Sequence, residues 1–176
     1  GSSSTLVVAI IKAFTEALNV GLDDYAIAEL AYKIEREDCG FSGGKQDQYS
    51  ATFGGFNYIE FTNENTIVNP LRIKNWFLCE LESSFILHFT GISRSSSDVI
   101  DDQSKAADEK TLNRIEYLHA LKKESIRMKE SLLKCDRNGI RDSLNRSWIS
   151  KSNTSTKVSN DLINERIEIA FKHGAE

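Results

Sequence analysis

Residues 43–61 read GGKQDQYSATFGGFNYIEF and contain the signals for a loop, a helix and a strand in close succession. The opening glycines belong to a loop over residues 39–46, which hold three glycines in eight positions and expose the backbone. Residues 47–53 predict a short helix that ends at a Gly-Gly pair, and the aromatic and apolar side chains of residues 56–61 predict a strand. A helix followed this closely by a strand predicts a fold of the α+β class.

Two helices are predicted upstream of this segment. The first covers residues 2–19 and ends near Asn19 and Gly21. It carries enough apolar side chains for a mostly buried helix: Leu6, Val7, Ile10, Ile11, Phe14, Ala17 and Leu18. The second covers about residues 23–38 and ends in a charged stretch at residues 35–38.

The downstream half changes from strand signals to helix signals. Residues 67–68, before the sole proline, and residues 85–89 predict two further strands. From Lys105 onward the charge rises and apolar residues recur at helical spacing, which predicts a long helix followed by helices at about 137–149 and 163–176. The front half of the chain is therefore expected to hold the loops and strands, and the rear half to be helical.

The composition excludes several classes of protein. The chain has 176 residues, 22 Lys+Arg against 26 Asp+Glu, and no uninterrupted apolar run of the roughly 18 residues that a membrane span needs. A slightly acidic chain without dense basic clusters is not expected to bind nucleic acid or anionic membranes through its overall charge. Three widely spaced cysteines argue against a disulfide framework or a zinc site and favour the cytoplasm. We recognise no targeting segment.

The first five residues, GSSST, open the first predicted helix with small polar side chains. At such a helix start, unpaired backbone N–H groups and the positive end of the helix dipole converge, and small side chains let a phosphate approach. Taken by itself, the pattern more often marks a simple cap, because it lacks the lysine of a Walker loop. Taken alone, a Glu near a helix end, such as Glu35, is more often a solvated residue. An Asp at a helix start, such as Asp47, is more often an N-cap.

A wider pattern connects these residues, because the Ser-rich helix start, a Glu near the end of the next helix and the GGKQDQ loop occur in that order. This arrangement resembles the GHMP sugar and mevalonate kinases. Residues 1–4 are similar to the latter part of the family's second motif. Glu35 and Asp47, twelve residues apart, match the magnesium-binding Glu and the catalytic Asp of the galactokinase branch. Residues 43–49 and 53–61 most resemble the D-glycero-D-manno-heptose 7-phosphate kinase branch.

The resemblance implies a GHMP-kinase-like two-domain α+β fold that is truncated at both ends. Residues 1–92 would form part of the N-terminal domain, and residues 93–176 part of a largely helical C-terminal domain. The family's first and third motifs have no counterpart in the sequence. We therefore expect the chain expressed alone to be an incomplete catalytic core, without kinase activity, that aggregates or pairs with itself as a homodimer.

The resemblance also implies an activity, the transfer of the γ-phosphoryl group of ATP to a sugar hydroxyl. The favoured acceptor is the anomeric hydroxyl of a heptose 7-phosphate. Ser3 and Glu35 would bind Mg²⁺, whose preferred ligands are oxygens. Asp47 would orient the acceptor hydroxyl and take its proton. The nucleotide phosphates would be held by the Ser-rich turn: Gly1, Ser2, Ser3 and Ser4.

Further roles and alternatives follow from the same comparison. Lys45 would assist catalysis by neutralising charge, while Gly44 and Arg94 would contact the substrate. One alternative is another GHMP small-molecule kinase, of the galactokinase or fucokinase type. A second is a non-catalytic α+β module, whose Ser-rich helix start is only a cap and whose helical half binds a partner protein.

Overall fold

The computed structural model describes residues 2–90, 110–155 and 157–176. Its helices and strands, in chain order, are α1 (Ser2–Ala17), α2 (Asp24–Lys33), a π-helical turn (Ile34–Asp38), α3 (Gln46–Phe53), β1 (Asn57–Phe61), β2 (Thr66–Pro70), α4 (Asn75–Ser84), α5 (Lys110–Lys134), α6 (Arg137–Ser152) and α7 (Asp161–Lys172). They form two compact units, Gly1–Leu71 and Arg72–Glu176. In the part of the chain so described, no helix is both long and apolar enough to cross a membrane.

The first unit packs α1, α2 and α3 together. α2 begins after Asp23, whose carboxylate accepts a hydrogen bond from a backbone N–H of the first turn at 2.8 Å and so caps the helix. Val8 and Ile11 of α1 are buried against Ile27 and Ala31 of α2. This apolar core holds the start of α1 beside α2, the helix that leads into the π-helical turn.

A β-hairpin completes the first unit. β1 and β2 are antiparallel, and their register pairs Phe61 with Thr66 next to the turn of residues 62–65. The hydroxyl of Tyr25 on α2 accepts a hydrogen bond from Val68 N at 3.0 Å, which attaches the hairpin to the helices. A second core joins α2, α3 and β2 through their buried side chains: Ala28, Tyr49 and Val68. The strands predicted at residues 56–61 and 67–68 are confirmed.

The prediction that α1 is mostly buried is wrong for one of its faces. Among the described apolar side chains of α1, Val8 and Ile11 are buried. An apolar stripe at four-residue spacing, which ends one residue beyond the helix, is instead 48–69 % exposed: Leu6, Ile10, Phe14 and Leu18. Apolar residues surround this helix, and α2 and α3 cover only the side that faces them. Periodicity alone does not show which of two apolar faces a neighbour covers.

The regular secondary structure described in the second unit is helical. α5 and α6 pack against each other, and Phe77 and Leu81 of α4 are buried with Ile140 of α6. Met128 and Leu132 of α5 pack on the same cluster. The predicted helices near residues 137–149 and 163–176 are confirmed as α6 and α7.

The third predicted strand, at residues 85–89, is wrong. These residues have no regular secondary structure, and Ile86 and Leu87 are 93 % and 100 % exposed. A strand needs a partner for its backbone hydrogen bonds, and the sheet of the described residues is the β1–β2 hairpin of the first unit. The sequence analysis also missed α4, which immediately precedes this segment. The predicted domain boundary at residues 92–93 lies outside the described residues and stays a prediction.

Candidate functional site

Three buried polar side chains meet inside the first unit, and we call them the polar cluster: Ser4, Glu35 and Gln48. Their exposed fractions are 1 %, 3 % and 0 %. The Gln48 Nε2 group donates to Glu35 Oε2 at 2.5 Å and to Ser4 Oγ at 3.4 Å. The cluster therefore connects the start of α1, the π-helical turn and α3 through one amide group.

The π-helical turn accounts for the burial of Glu35. Its wide hydrogen bond runs from Cys39 N to Ile34 O at 2.9 Å, and it continues α2 with a changed helical phase. Glu35 is buried while Glu37 and Asp38 stay exposed. A single π-helical turn within an α-helix is frequently found at functional sites.

Arg36, next to Glu35, organises the glycine loop. Its guanidinium donates to Ser42 O at 3.5 Å and to Gly44 O at 3.4 Å. A Cβ atom at Gly43 would lie 2.6 Å from Arg36 Cζ, so any larger residue there would push the guanidinium away from these carbonyl groups. The sequence analysis missed Arg36, because nothing in the local pattern shows that its side chain bends back onto the loop.

Asp47 lies at the second position of α3, immediately before Gln48. Its side chain is exposed, whereas Gln48 is fully buried. The predicted base and the central residue of the polar cluster therefore share one helical turn. Ser3 is likewise exposed and directly precedes buried Ser4. No acidic residue lies in the first turn of α1, which suits an anion at this helix start.

Lys45 is part of an ion pair on a neighbouring face of α3. Its Nζ atom lies 3.0 Å from both carboxylate oxygens of Glu29 and 4.7 Å from the centre of the Tyr32 ring. The hydrogen bond with Glu29 raises the pKa of Lys45 above its ordinary value of 10.5, against a smaller opposing effect of burial. Lys45 thus remains a cation and is unsuited to accept a proton. The Tyr49 hydroxyl also donates to Glu29, at 3.1 Å.

A cleft of about 860 Å³ lies beside this ion pair. It is lined by Tyr25 and Tyr49, by the hairpin turn of residues 62–65 and by Thr66 at the start of β2. Asp47 is not among the described residues that line it. The cleft and the polar cluster are therefore different places, and the predicted catalytic residue is next in sequence to the cluster.

The donor set suits a magnesium ion that brings most of its own ligands. Within the described ranges, no group of three or more His, Cys, Asp or Glu side chains could hold a metal ion. Glu35 with serine hydroxyls at a helix start offers a few hard oxygen ligands, and Mg²⁺ typically completes its octahedron with water and substrate phosphates. The Oε1 atom of Gln48 is buried without a hydrogen-bond partner among the described residues, which shows that the cluster is not fully satisfied internally.

The structure brings some of the predicted site residues together and does not describe others. It brings Glu35 and Ser4 together and places Asp47 one residue from Gln48, which links them. Arg94 and Gly1 lie outside the described residues, as does the side chain of Ser2. The sequence analysis missed Gln48. The burial that Gln48 shares with Thr52, one helical turn later, is seen only in the folded structure.

Comparison with known proteins finds a matching family model and a similar kinase. Residues 1–55 match the family model described as the GHMP kinases N terminal domain. The start of the chain is therefore similar to the GHMP kinases. The chain is 51 % identical, over 177 aligned positions, to the D-glycero-alpha-D-manno-heptose 7-phosphate kinase of Campylobacter jejuni subsp. jejuni serotype O:2, an alignment that covers 99 % of the chain and 51 % of that relative.

Two solved structures share the fold. One is a Campylobacter jejuni protein provisionally described as a sugar kinase, with a TM-score of 0.72 and 47 % identity over 99 % of this chain and 48 % of that one. The other is described as a D-glycero-D-manno-heptose 1-phosphate kinase from Bacteroides thetaiotaomicron, with a TM-score of 0.69 and 46 % identity over 85 % of this chain and 42 % of that one. The predicted α+β, GHMP-kinase-like fold is confirmed. The chain spans about half the length of the curated relative that it matches.

Proposed function

We propose that this chain supplies the phosphate-binding, metal-binding and proton-accepting elements of an ATP-dependent sugar kinase. The acceptor is a heptose 7-phosphate, and the phosphoryl group goes to its anomeric hydroxyl. The observation that carries the proposal is the convergence of the α1 start, buried Glu35 and the first turn of α3 on one amide, that of Gln48. A helix start and a buried carboxylate that share one amide, with an exposed carboxylate on the neighbouring residue of α3, are parts that phosphoryl transfer can use.

The α1 start binds the nucleotide phosphates in this proposal. The backbone N–H groups at this helix start and the exposed hydroxyl of Ser3 are assigned to the phosphates, and Gly1, Ser2 and Ser4 are assigned to the same turn from the family resemblance. Ser3 and Glu35 offer oxygen ligands to Mg²⁺, which when bound neutralises phosphate charge and orients the γ-phosphoryl group. Glu35 is buried, and its surroundings would hold the carboxylate in one orientation.

Asp47 acts on the acceptor. It accepts the proton of the sugar hydroxyl while that oxygen forms a bond to the γ-phosphorus, and the bond from the γ-phosphorus to the β,γ-bridging oxygen breaks to release ADP. Lys45 holds positive charge close to Asp47 in sequence, because its ion pair with Glu29 stabilises the protonated amine. Gly44 and Arg94 are assigned contacts with the substrate.

The acceptor is tested with a panel. ATP and Mg²⁺ are given to the full natural polypeptide with heptose 7-phosphate, heptose 1-phosphate, galactose, fucose or mevalonate, and ³¹P NMR locates the new phosphate. We expect a new anomeric phosphate on heptose 7-phosphate. Turnover of heptose 1-phosphate, the acceptor named for the Bacteroides relative, would change the substrate assignment. Absence of phosphorylation with every acceptor would contradict the proposed function.

We also propose a cellular location and binding partners for the protein. We place the protein in the cytoplasm, where ATP and sugar phosphates occur, with a sugar phosphate as its small-molecule partner and no role for nucleic acid. Self-association into a homodimer is checked by sedimentation of the full natural polypeptide. A single species at monomer mass would contradict the dimer and leave the kinase assignment intact.

A further inference from the structure

Gln48 is the residue on which the three elements of the proposed site depend. It is fully buried, and its Nε2 group donates to Glu35 Oε2 and to Ser4 Oγ. It also follows Asp47 directly. We propose that Gln48 is a positioning residue that orients the Glu35 carboxylate for Mg²⁺ and fixes it relative to the α1 start. This inference rests on the proposed function, in which Glu35 is a metal ligand.

The orientation of the Gln48 amide is determined by its neighbours. A carboxylate only accepts hydrogen bonds, so the NH₂ end of the amide has to face Glu35, since the carbonyl end would place two acceptors together. In this orientation the Gln48 Nε2 group lies within hydrogen-bond distance of Glu35 Oε2 and of Ser4 Oγ. As a result, Oε1 is buried and lacks a partner among the described residues. The side chain thus satisfies Glu35 and Ser4 while its own carbonyl group stays unsatisfied.

The hydrogen bonds among the described residues occupy one carboxylate oxygen of Glu35 and leave the other for another partner. Gln48 engages Glu35 at Oε2, and Oε1 of Glu35 is the oxygen that we assign to the metal. Groups that hydrogen-bond to metal ligands orient them, and replacing such a group typically lowers metal affinity or activity by about 10- to 100-fold. Gln48 would act in this way on Glu35, through a neutral amide that does not compete with the cation for the carboxylate charge.

Thr52 provides a matched control on the same face of α3. It is buried at 5 % exposure, one helical turn after Gln48, and its hydroxyl donates to Gln48 O at 2.8 Å. That bond satisfies only the backbone and does not reach Glu35 or Ser4. Gln48→Met and Thr52→Val each keep the approximate size of a buried side chain and remove its donors. A general loss of packing or stability would affect both variants.

The experiment measures metal binding separately from turnover. Mn²⁺ is titrated by EPR into the full natural polypeptide with a non-hydrolysable ATP analogue, for the wild type, Gln48→Met, Thr52→Val, Glu35→Gln and the double variant Glu35→Gln/Gln48→Met. We expect Gln48→Met to weaken Mn²⁺ binding about 10- to 100-fold and Thr52→Val to change it less than about twofold. The double variant should bind Mn²⁺ no more weakly than Glu35→Gln, since Gln48 acts through Glu35.

The outcomes separate this inference from the proposed function. Three results would each overturn the positioning role. The Mn²⁺ affinity of Gln48→Met could equal that of the wild type, or Gln48→Met and Thr52→Val could lose equal Mn²⁺ affinity. The third is a loss in the double variant that equals the sum of the losses in the single variants. The acceptor panel tests the kinase activity independently. If the losses of Mn²⁺ affinity in Gln48→Met and Glu35→Gln are coupled but no sugar is phosphorylated, the positioning role of Gln48 is supported and the proposed kinase function is contradicted.

A measurement on the wild type covers the case in which Gln48→Met does not fold. The side-chain NH₂ protons of Gln48 should exchange slowly with solvent, and their NMR shifts should move when Mg²⁺ and the ATP analogue are added. Exchange at the rate of a solvated amide, or shifts that ignore Mg²⁺, would overturn the positioning role.

Discussion

The two units of the molecule each bury a glutamate, and they compensate its charge in different ways. In the second unit, Glu124 is 4 % exposed and accepts hydrogen bonds from Arg127, from Arg146 at 3.0 Å and from Ser143 Oγ at 3.0 Å. In the first unit, Glu35 is 3 % exposed and is held by the neutral amide of Gln48. Among the ion pairs of the described residues, none involves Glu35.

This difference distinguishes a structural carboxylate from one that is available to a ligand. A buried charge is costly unless it is paired. Burial opposes ionisation of Glu124, but hydrogen bonds from Arg146, Ser143 and Arg127 outweigh it and lower the pKa of that carboxyl below its ordinary value of 4.5. Glu35 has no such pair of arginines among its described neighbours. The Mg²⁺ that we propose would supply the positive charge that Glu35 lacks among its described neighbours.

The largest expected effect comes from Asp47→Asn in the first unit. Asn keeps the shape of the side chain but cannot accept the proton of the acceptor, so kcat should fall about 10²- to 10⁴-fold while nucleotide binding stays close to normal. Asp136→Asn is the matched control. Asp136 caps α6 by accepting from Gly139 N at 3.1 Å, and Asn caps helices equally well. Near-normal turnover of Asp47→Asn would exclude Asp47 as the base.

Glu35→Gln should have the next largest effect, and it should act on metal dependence more than on stability. Removing a metal ligand should lower metal affinity more than removing a group that hydrogen-bonds to a ligand, which typically costs about 10- to 100-fold. We therefore expect the Mg²⁺ concentration for half-maximal activity to rise more than about 100-fold. The Tm should be retained, because a buried charge without a described cation is removed. An unchanged Mg²⁺ titration would contradict the ligand role, and a collapse of the Tm would make Glu35 resemble Glu124.

Glu124→Gln should show the opposite pattern, with lost stability and unchanged metal dependence. Hydrogen bonds to charged groups contribute about 1.5–3 kcal/mol, and we expect a loss of about 2 kcal/mol in the free energy of unfolding, measured with denaturant. The folded-state pKa is lowered, so this contribution is present above pH 4.5 and is lost as the pH falls through the folded-state value. The difference between wild type and variant should shrink below pH 4.5. A constant difference down to strong acid would exclude the ion pair as its cause.

Local sequence signals predicted much of the first unit and little of its interior. Asp23 marked the start of α2, and the glycine pair at residues 54–55 marked the end of α3, because caps and left-handed backbone positions depend on neighbouring residues. The exposed apolar stripe of α1 and the irregular segment at residues 85–89 were mispredicted. In both cases the outcome depends on which distant element covers an apolar side chain.

The same limit applies to the candidate site. Glu35 and Asp47 were proposed from their types and spacing, through resemblance to a family. Their different environments were not predictable, because burial of Glu35 depends on the π-helical turn, for which the sequence gives no recognised signal. Gln48 was overlooked for the same reason, since its role exists only once three elements meet. The residues immediately around Glu35 and Glu124 do not show how each charge is compensated, because both glutamates lie in helical segments with arginine nearby.

The smallest expected effect comes from Lys45→Met, which tests a third carboxylate, the exposed Glu29. The Lys45 and Glu29 side chains are 35 % and 51 % accessible, so solvent screens their attraction and the pair should contribute no more than about 1 kcal/mol at neutral pH. The raised pKa of Lys45 means that this contribution is fully present below pH 10.5 and is lost as the pH rises through the folded-state value. Denaturant titrations should give free energies of unfolding for the wild type, Lys45→Met and the exposed control Lys33→Met that agree within this margin at pH 7. The three values should converge in strong alkali, and also in 1 M NaCl, where the Debye length is about 3 Å. A loss for Lys45→Met as large as that for Glu124→Gln would show that exposure does not decide the strength of ion pairs in this chain, and the contrast between its two buried glutamates would lose its physical basis.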